Sequence, residues 1–242
     1  MSPVAVVTGG ASGVGAASAR RLARDGTSVV VVDVDDTGGE QVARDIGGRY
    51  VHLDVSDDTG WATLATELRA GEGVDFVHLN AGILASNENV PFLDTPVARY
   101  RTMVGVNLDG VVLGVHALAR VMVERSGGSI AVTASLAGLI PYGGDPIYAA
   151  TKHGVVGFVR SAAPQLGRLG VHLHAICPSG IDTPMVAGRR VQQGLESGRP
   201  FMPPEAVADA VAALLARDDT GRIQLISAEH GVEDVEFPRY DR

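Results

Sequence analysis

Tyr148 and Lys152 stand four residues apart in the stretch IYAATKHG, and Lys152 is the only lysine among 20 basic side chains. On a helix, positions four apart share a face. A free tyrosine, with a pKa near ~10, is ionised to about one part in a thousand at neutral pH. Lowering that pKa by ~3 units takes about 4 kcal/mol of preferential phenolate stabilisation, which a cation ~4 Å away supplies at an effective dielectric near 20. The pair can therefore make an acid and base that works at neutral pH. An ammonium is compact and carries three donors, so it can also reach a second acceptor such as a ribose hydroxyl, where a planar guanidinium fits less readily. Tyr-x-x-x-Lys spacing also arises by chance, and it is the solitary lysine that singles this one out. Ser135, thirteen residues before Tyr148, ends the apolar run GSIAVTAS. Its hydroxyl could hold a substrate oxygen beside the tyrosine, or simply cap a turn.

A second constellation lies at the other end of the chain. TGGASGVG (8–15) joins a β-branched run to an amphipathic one, and Gly9, Gly13 and Gly15 are spaced G-x-x-x-G-x-G. Residues without Cβ let a pyrophosphate approach the backbone, and the helix start offers N–H donors and positive potential. A ligand-free turn can carry the same glycines. Asp33 follows Gly15 by eighteen residues and ends the next apolar run. A carboxylate there can accept both hydroxyls of an adenosine ribose and would repel a 2′-phosphate. No arginine stands at Gly10, Ala11, Ser12 or Val34 to receive one. Turn and acid together favour NAD over NADP.

Both constellations need a scaffold, and the apolar pattern predicts one. Strand-like runs occupy 4–8, 28–33, 50–54, 74–79, 128–135, 171–177 and 222–227. Helical stretches fall between them at 13–26, 38–46, 57–70 with Asp57 as cap, 95–125 interrupted by glycines, and 148–168. Pro204 opens a last helix, EAVADAVAALLA. The runs are apolar throughout rather than alternating, as in strands buried on both faces of a parallel sheet. Repeated β-α order implies a single-domain, Rossmann-type doubly wound parallel sheet with helices on both faces, over residues 1–242. Residues 184–204, rich in proline, read as a substrate lid. Pro164 falls inside the 148–168 helix and should kink its last turns.

Composition narrows the function classes. With 242 residues, 45% hydrophobic and 20% charged, the chain suits one α/β domain. A net charge of −8 with interspersed signs argues against nucleic acid or an anionic membrane as partner. No apolar run approaching the ~18 residues of a membrane span is evident, nor a signal peptide. Cys177 is the single cysteine, so no internal disulfide forms, and a cytoplasmic location fits. The histidines, among them His78, His116 and His230, show no metal-ligand spacing.

Taken together these residues resemble the short-chain dehydrogenase/reductase family over nearly the whole chain. TGGASGVG is similar to its cofactor turn, LDV (53–55) to its adenine-side Asp-Val, NAGI (80–83) to its Asn-Ala-Gly, and PSGIDT (178–183) to its nicotinamide segment. The resemblance implies a catalytic tetrad of Asn107, Ser135, Tyr148 and Lys152, with Asn107 on a kinked helix in a water-linked proton relay. It implies cofactor contacts from Gly9, Ser12, Gly13, Val14, Gly15, Asp33, Asp54, Val55, Asn80, Ala81, Gly82, Tyr148, Lys152, Pro178, Ile181 and Thr183. Within the family, SLAGLIPYGGDPIYAATKHGVVGFVRSAA and the tail TGRIQLISAEHG resemble the 15-hydroxyprostaglandin dehydrogenase type. Asp145 stands where that type tends to place a substrate-contacting glutamine. An ionised Asp145 beside the pocket would disfavour anionic substrates, whereas a desolvated one could be neutral and donate a hydrogen bond. Ser135, Tyr142, Asp145 and Met185 are the candidate substrate contacts.

The implied activity is NAD-dependent interconversion of a secondary alcohol and a ketone, with Tyr148 as acid and base. A non-catalytic NAD-binding regulator on the same fold is the alternative, and the intact tetrad argues against it. A sugar-nucleotide epimerase shares Tyr and Lys but needs a larger substrate domain. Val111, Val112, Val115, Val155, Val156, Phe158 and Val159 exceed one core face, so the chain is expected to form a homodimer or homotetramer. Phe237 and Tyr240 in the acidic tail could pack on that neighbour or fray.

Overall fold

The computed structural model describes residues 2–84, 91–125, 127–183 and 201–238. Met185, Tyr240 and all but the last four residues of the expected lid fall outside these. One sheet of eight strands runs in the order β3-β2-β1-β4-β5-β6-β7-β8. The strands are β1 (Val4–Thr8), β2 (Ser28–Asp33), β3 (Arg49–His52), β4 (Phe76–Leu79), β5 (Gly128–Thr133), β6 (Val171–Pro178), β7 (Ile223–Ser227) and β8 (Gly231–Asp234). The first seven are parallel, and β8 returns antiparallel on β7. Every residue of β1 is buried, as an apolar strand between two helix layers must be.

Helices α1 (Gly13–Arg24), α2 (Asp36–Ile46) and α7 (Pro204–Leu215) cover one face. Helices α3 (Asp58–Ala70), α5 (Gly110–Val123) and α6 (Pro146–Gly167) cover the other. Carboxylates start three of them: Asp35 accepts from Gly38 N, Asp57 from Thr59 N, and Asp145 from Tyr148 N. Strand order reverses between β1 and β4, the place where doubly wound sheets open a crevice at their carboxyl ends.

Helix α4 (Val97–Val104) joins α5 through a π-helical turn, Gly105–Asp109. The glycines read as interruptions serve close packing instead. A Cβ on Gly110 would stand 2.7 Å from Val55 Cγ2, and one on Gly114 2.8 Å from Leu79 Cδ2. The stretch Val97–Val123 is, contrary to the sequence reading, long and apolar enough to cross a membrane. Half of its most apolar window is buried within the protein, where it faces the sheet. Helix α6 continues through Pro164 to Gly167.

Three expectations change. Strand β8 has no apolar signal and falls outside the seven strand-like runs; its residues are all exposed, and only pairing with β7 makes them a strand. Phe237 packs on its own chain, with the Arg160 guanidinium 3.7 Å above its ring. Of the seven apolar residues that exceed one core face, Val111, Val115, Val155, Val156 and Val159 are spent on the chain's own core, which leaves Val112 and Phe158 partly exposed. Among the described residues, four of the nine exposed large apolar side chains, Phe92, Leu93, Val97 and Tyr100, fall within one short segment.

Candidate active site

A cleft of about 1000 Å³ opens along the carboxyl ends of the strands. The glycine turn forms one end. Gly9 and Gly13 adopt φ values of 64° and 52°, which side chains disfavour. A Cβ on Gly9 would stand 2.9 Å from Asn80 Nδ2. Gly15 does not line the cleft. A Cβ there would stand 2.0 Å from the Gly9 carbonyl oxygen, so Gly15 lets the turn fold against its own helix.

Asp33 lines the same end, its carboxylate fixed by backbone donors. Ala11 N donates to Oδ2 at 2.9 Å and Val34 N to Oδ1 at 2.8 Å. Asp54 faces the cleft and accepts from Ser56 N and Oγ at 2.9 and 2.8 Å. Ser12, Val14, Val55, Asn80, Ala81 and Gly82 carry the wall inward. Pro178, Ile181 and Thr183 line it too, Thr183 beside the glycine turn, where a Cβ on Gly13 would stand 3.3 Å from its Cγ2.

Ser135, Tyr142, Tyr148 and Lys152 meet at the other end of this cleft. Ser135 follows β5 and starts a short 3-10 turn, accepting from Ala137 N at 3.1 Å. The Tyr142 and Tyr148 rings meet edge to face, with centroids 6.2 Å apart. Lys152 Nζ sits 5.8 Å from the Tyr148 ring centroid and donates to Thr133 O at 2.8 Å. Lys152 is 3% exposed, and burial lowers its pKa to about 8. Cys177 lies beside it on β6, its thiol pushed up to about 12 by burial, against the opposing pull of the Ser135 backbone and the lysine.

Asn107 does not line the cleft but holds a segment that does. It is fully buried in the π-turn, accepts from Ile83 N at 2.7 Å and donates to Ile83 O at 2.9 Å. Ile83 and Leu84 are on the cleft wall. Asp145 also stands away from it. Its Oδ1 takes Tyr148 N at 3.0 Å as the α6 cap, and the residue is 6% exposed. The expectation that Asp145 screens substrates by charge therefore loses its geometry: the carboxylate is turned into the helix start that carries the tyrosine.

The cleft also gathers residues that sequence reasoning missed. Ile140 and Phe201 give it an apolar wall, and Ala228, Glu229 and His230 reach it from the β7–β8 turn. No local signal marked that turn, because β8 itself carried none.

The family model for short chain dehydrogenases matches residues 3–194. The cis-4-hydroxycyclohexanecarboxylate dehydrogenase of Sinomonas cyclohexanicum is 39% identical, over 87% of this chain and 88% of that protein. The crystal structure of levodione reductase superposes with a TM-score of 0.83 at 30% identity, covering 93% of this chain and 96% of the other. An NAD(P)-dependent dehydrogenase from Beutenbergia cavernae, solved with NADP at low occupancy, gives 0.82 at 31% identity, over 92% and 94% of the two chains.

Proposed function

The chain belongs to the short-chain dehydrogenase family, and from that premise we propose that it oxidises ring-borne secondary alcohols with NAD, or reduces the matching ketones. One observation carries the reading. Ser135, Tyr148 and Lys152 share one end of a single cleft whose other end is the glycine turn and Asp33. The cradle fits a dinucleotide, because Gly9 and Gly13 expose backbone where side chains are disfavoured. Bound there, NAD supplies the hydride acceptor.

The chain's own groups do the rest. The Ser135 hydroxyl holds the substrate oxygen and steadies charge developing on it. Tyr148 takes the hydroxyl proton in oxidation and returns one in reduction. Lys152 favours the phenolate and keeps a donor for the ribose. Asn107 keeps Ile83 and its neighbours against the cleft. Asp33 supports NAD over NADP: its carboxylate lines the cleft, held by backbone N–H groups, and would repel a 2′-phosphate brought beside it.

Ile140, Phe201 and Tyr142 suit an apolar ring. The Sinomonas relative is named for a hydroxylated cyclohexane ring, which supports the same class. The finer likeness to the 15-hydroxyprostaglandin dehydrogenase type enters this proposal for the reaction alone. With Asp145 committed to the helix cap, anionic substrates belong in the panel. The proposal includes a cytoplasmic homodimer or homotetramer, with Phe92, Leu93, Val97 and Tyr100 as the apolar surface to be covered.

The test is a panel of neutral and carboxylated cyclic secondary alcohols with NAD and with NADP, followed by nicotinamide absorbance. Turnover with NAD that vanishes in Tyr148→Phe is expected. Absence of turnover across the panel, or an active Tyr148→Phe enzyme, would refute the reading. Sedimentation at micromolar concentration tests the assembly, and a monomer would refute that part.

A further inference from the structure

The β4–β5 register ends at Leu79 and Val132, one residue short of Thr133. Yet Thr133 matters most at this edge, because its carbonyl receives the Lys152 ammonium at 2.8 Å. On the β6 side Thr133 is still paired, with Ile176, and Ala134 N donates to Ile176 O at 2.7 Å; toward β4 the hold on Thr133 is its side chain. Its Oγ1 lies 2.8 Å from His78 Nε2 and 3.2 Å from Asn80 Oδ1. His78 pairs with Ala131, so the alternation of a strand puts His78, Asn80 and Thr133 on one face of the sheet. That is the face covered by α1 and α7, whereas Lys152 arrives on α6 from the other.

The proton positions follow from which atoms can only accept. Thr8 O accepts from Asn80 Nδ2 at 3.2 Å, which leaves Asn80 Oδ1 as an acceptor. The single proton of the Thr133 hydroxyl therefore goes to Asn80. His78 Nε2 must then donate to Thr133, and the ring carries its proton there. The other nitrogen, Nδ1, is buried with no hydrogen-bond partner, and in this tautomer it is a bare acceptor rather than an unmet donor. His78 is fully buried and stays neutral, its pKa lowered to about 3 by burial. A one-way chain thus runs from His78 through Thr133 and Asn80 to Thr8, the residue before the first glycine of the turn. Thr8 Oγ1 in turn accepts from Asn80 N at 2.9 Å and Ala81 N at 3.1 Å.

We infer that His78 is a positioning residue for the reaction: its Nε2 proton anchors the Thr133 side chain where the β4–β5 ladder stops, adding to the β6 pairing on the other side, so that the Thr133 carbonyl stays aimed at the Lys152 ammonium. The inference rests on the proposed role of Lys152, but its test does not need turnover. Lys152 is the only lysine, so selective ¹³Cε-lysine labelling of the whole protein gives a single lysine resonance. Its pH titration reads the ammonium directly. A carbonyl hydrogen bond favours the charged form, so loosening it lowers the midpoint. Cys177 from β6 and Tyr148 from α6 also face the ammonium, and neither is altered in the variants.

In His78→Met the midpoint should fall by about half a unit or more, a factor of ~3 in the equilibrium. His78→Gln restores an N–H donor at similar reach and should titrate with the wild type. Thr133→Val keeps the shape, removes the hydroxyl and should repeat the fall; it carries the test if His78→Met does not fold. In alcohol oxidation the acid limb of the kcat/KM profile should move to higher pH in His78→Met and return in His78→Gln. An unchanged midpoint in either His78→Met or Thr133→Val overturns the inference, as does an equal fall in His78→Gln. A wild type without turnover would strike the proposed reaction and leave the titration result standing.

Discussion

Replacing Lys152 with methionine should make the protein more stable at neutral pH while abolishing turnover. The buried ammonium has a pKa near 8 against an ordinary value of 10.5, and burial is the main cause. A depression of about 2.5 units at about 1.36 kcal/mol each means that the charged lysine costs the folded state on the order of 3 kcal/mol at pH 7. Methionine removes that cost and fills much of the same space. Against this, the Thr133 carbonyl loses its donor, worth about 1–3 kcal/mol when buried. The net gain is on the order of 1 kcal/mol, or a Tm rise of roughly 2–4 °C for a chain of this size. The pH dependence gives the sign. Because the folded-state pKa is the lower one, the unfolded chain binds more protons between pH 8 and 10.5. Wild-type stability from this group therefore rises with pH across that window. Calorimetry of the two proteins at pH 7 and then toward pH 10 should show the methionine advantage shrinking and reversing. A Lys152→Met protein that is less stable at pH 7, or an advantage indifferent to pH, would refute the reasoning.

Lys152→Arg should keep the fold and lose most turnover, since a planar fork cannot make the compact contacts of an ammonium; near wild-type kcat would contradict this. Gly15→Ala should abolish NAD binding by titration, because its Cβ would meet the Gly9 carbonyl at 2.0 Å and displace the turn. Asp33→Ala should erase a preference for NAD over NADP that exceeds about tenfold in the wild type, measured as kcat/KM for each cofactor. Asp145→Ala should lose about 1 kcal/mol of stability with the N-cap, measured by denaturant unfolding. It should leave the ratio of activities on neutral and carboxylated alcohols unchanged.

Much of this protein was legible in local pattern. Strands β1 and β2 match the runs 4–8 and 28–33 residue for residue, because a strand buried on both faces is apolar throughout its interior and turns polar only at its ends, Thr8, Ser28 and Asp33. The glycine turn, the Asp57 cap, the start of α7 at Pro204 and the i,i+4 spacing of Tyr148 and Lys152 are likewise short-range facts. They follow from backbone sterics and from hydrogen bonds that reach only a few residues. Such patterns say what an element is and which side is buried.

They do not say which element lies alongside. Strand β8 exists only because β7 offers it an edge, and the Glu229–His230 turn enters the cleft only as a consequence. Asp145 reads the same in sequence whether it faces a substrate or a helix end; packing of α6 decided for the helix end. Of the apolar positions that exceed one core face on α5 and α6, the sheet and helix layers of the same chain bury five valines, and only packing shows that Val112 and Phe158 are the ones left partly exposed. His78 and Thr133 are 55 residues apart, and nothing near either predicts the other. The sequence alone determined the order of the first seven strands, the glycine turn after β1 and the shared helix face of Tyr148 and Lys152. The tertiary structure decided the lateral neighbours, because side-chain periodicity encodes burial on a face, whereas a partner across the sheet is chosen by register and by closure of the whole layer.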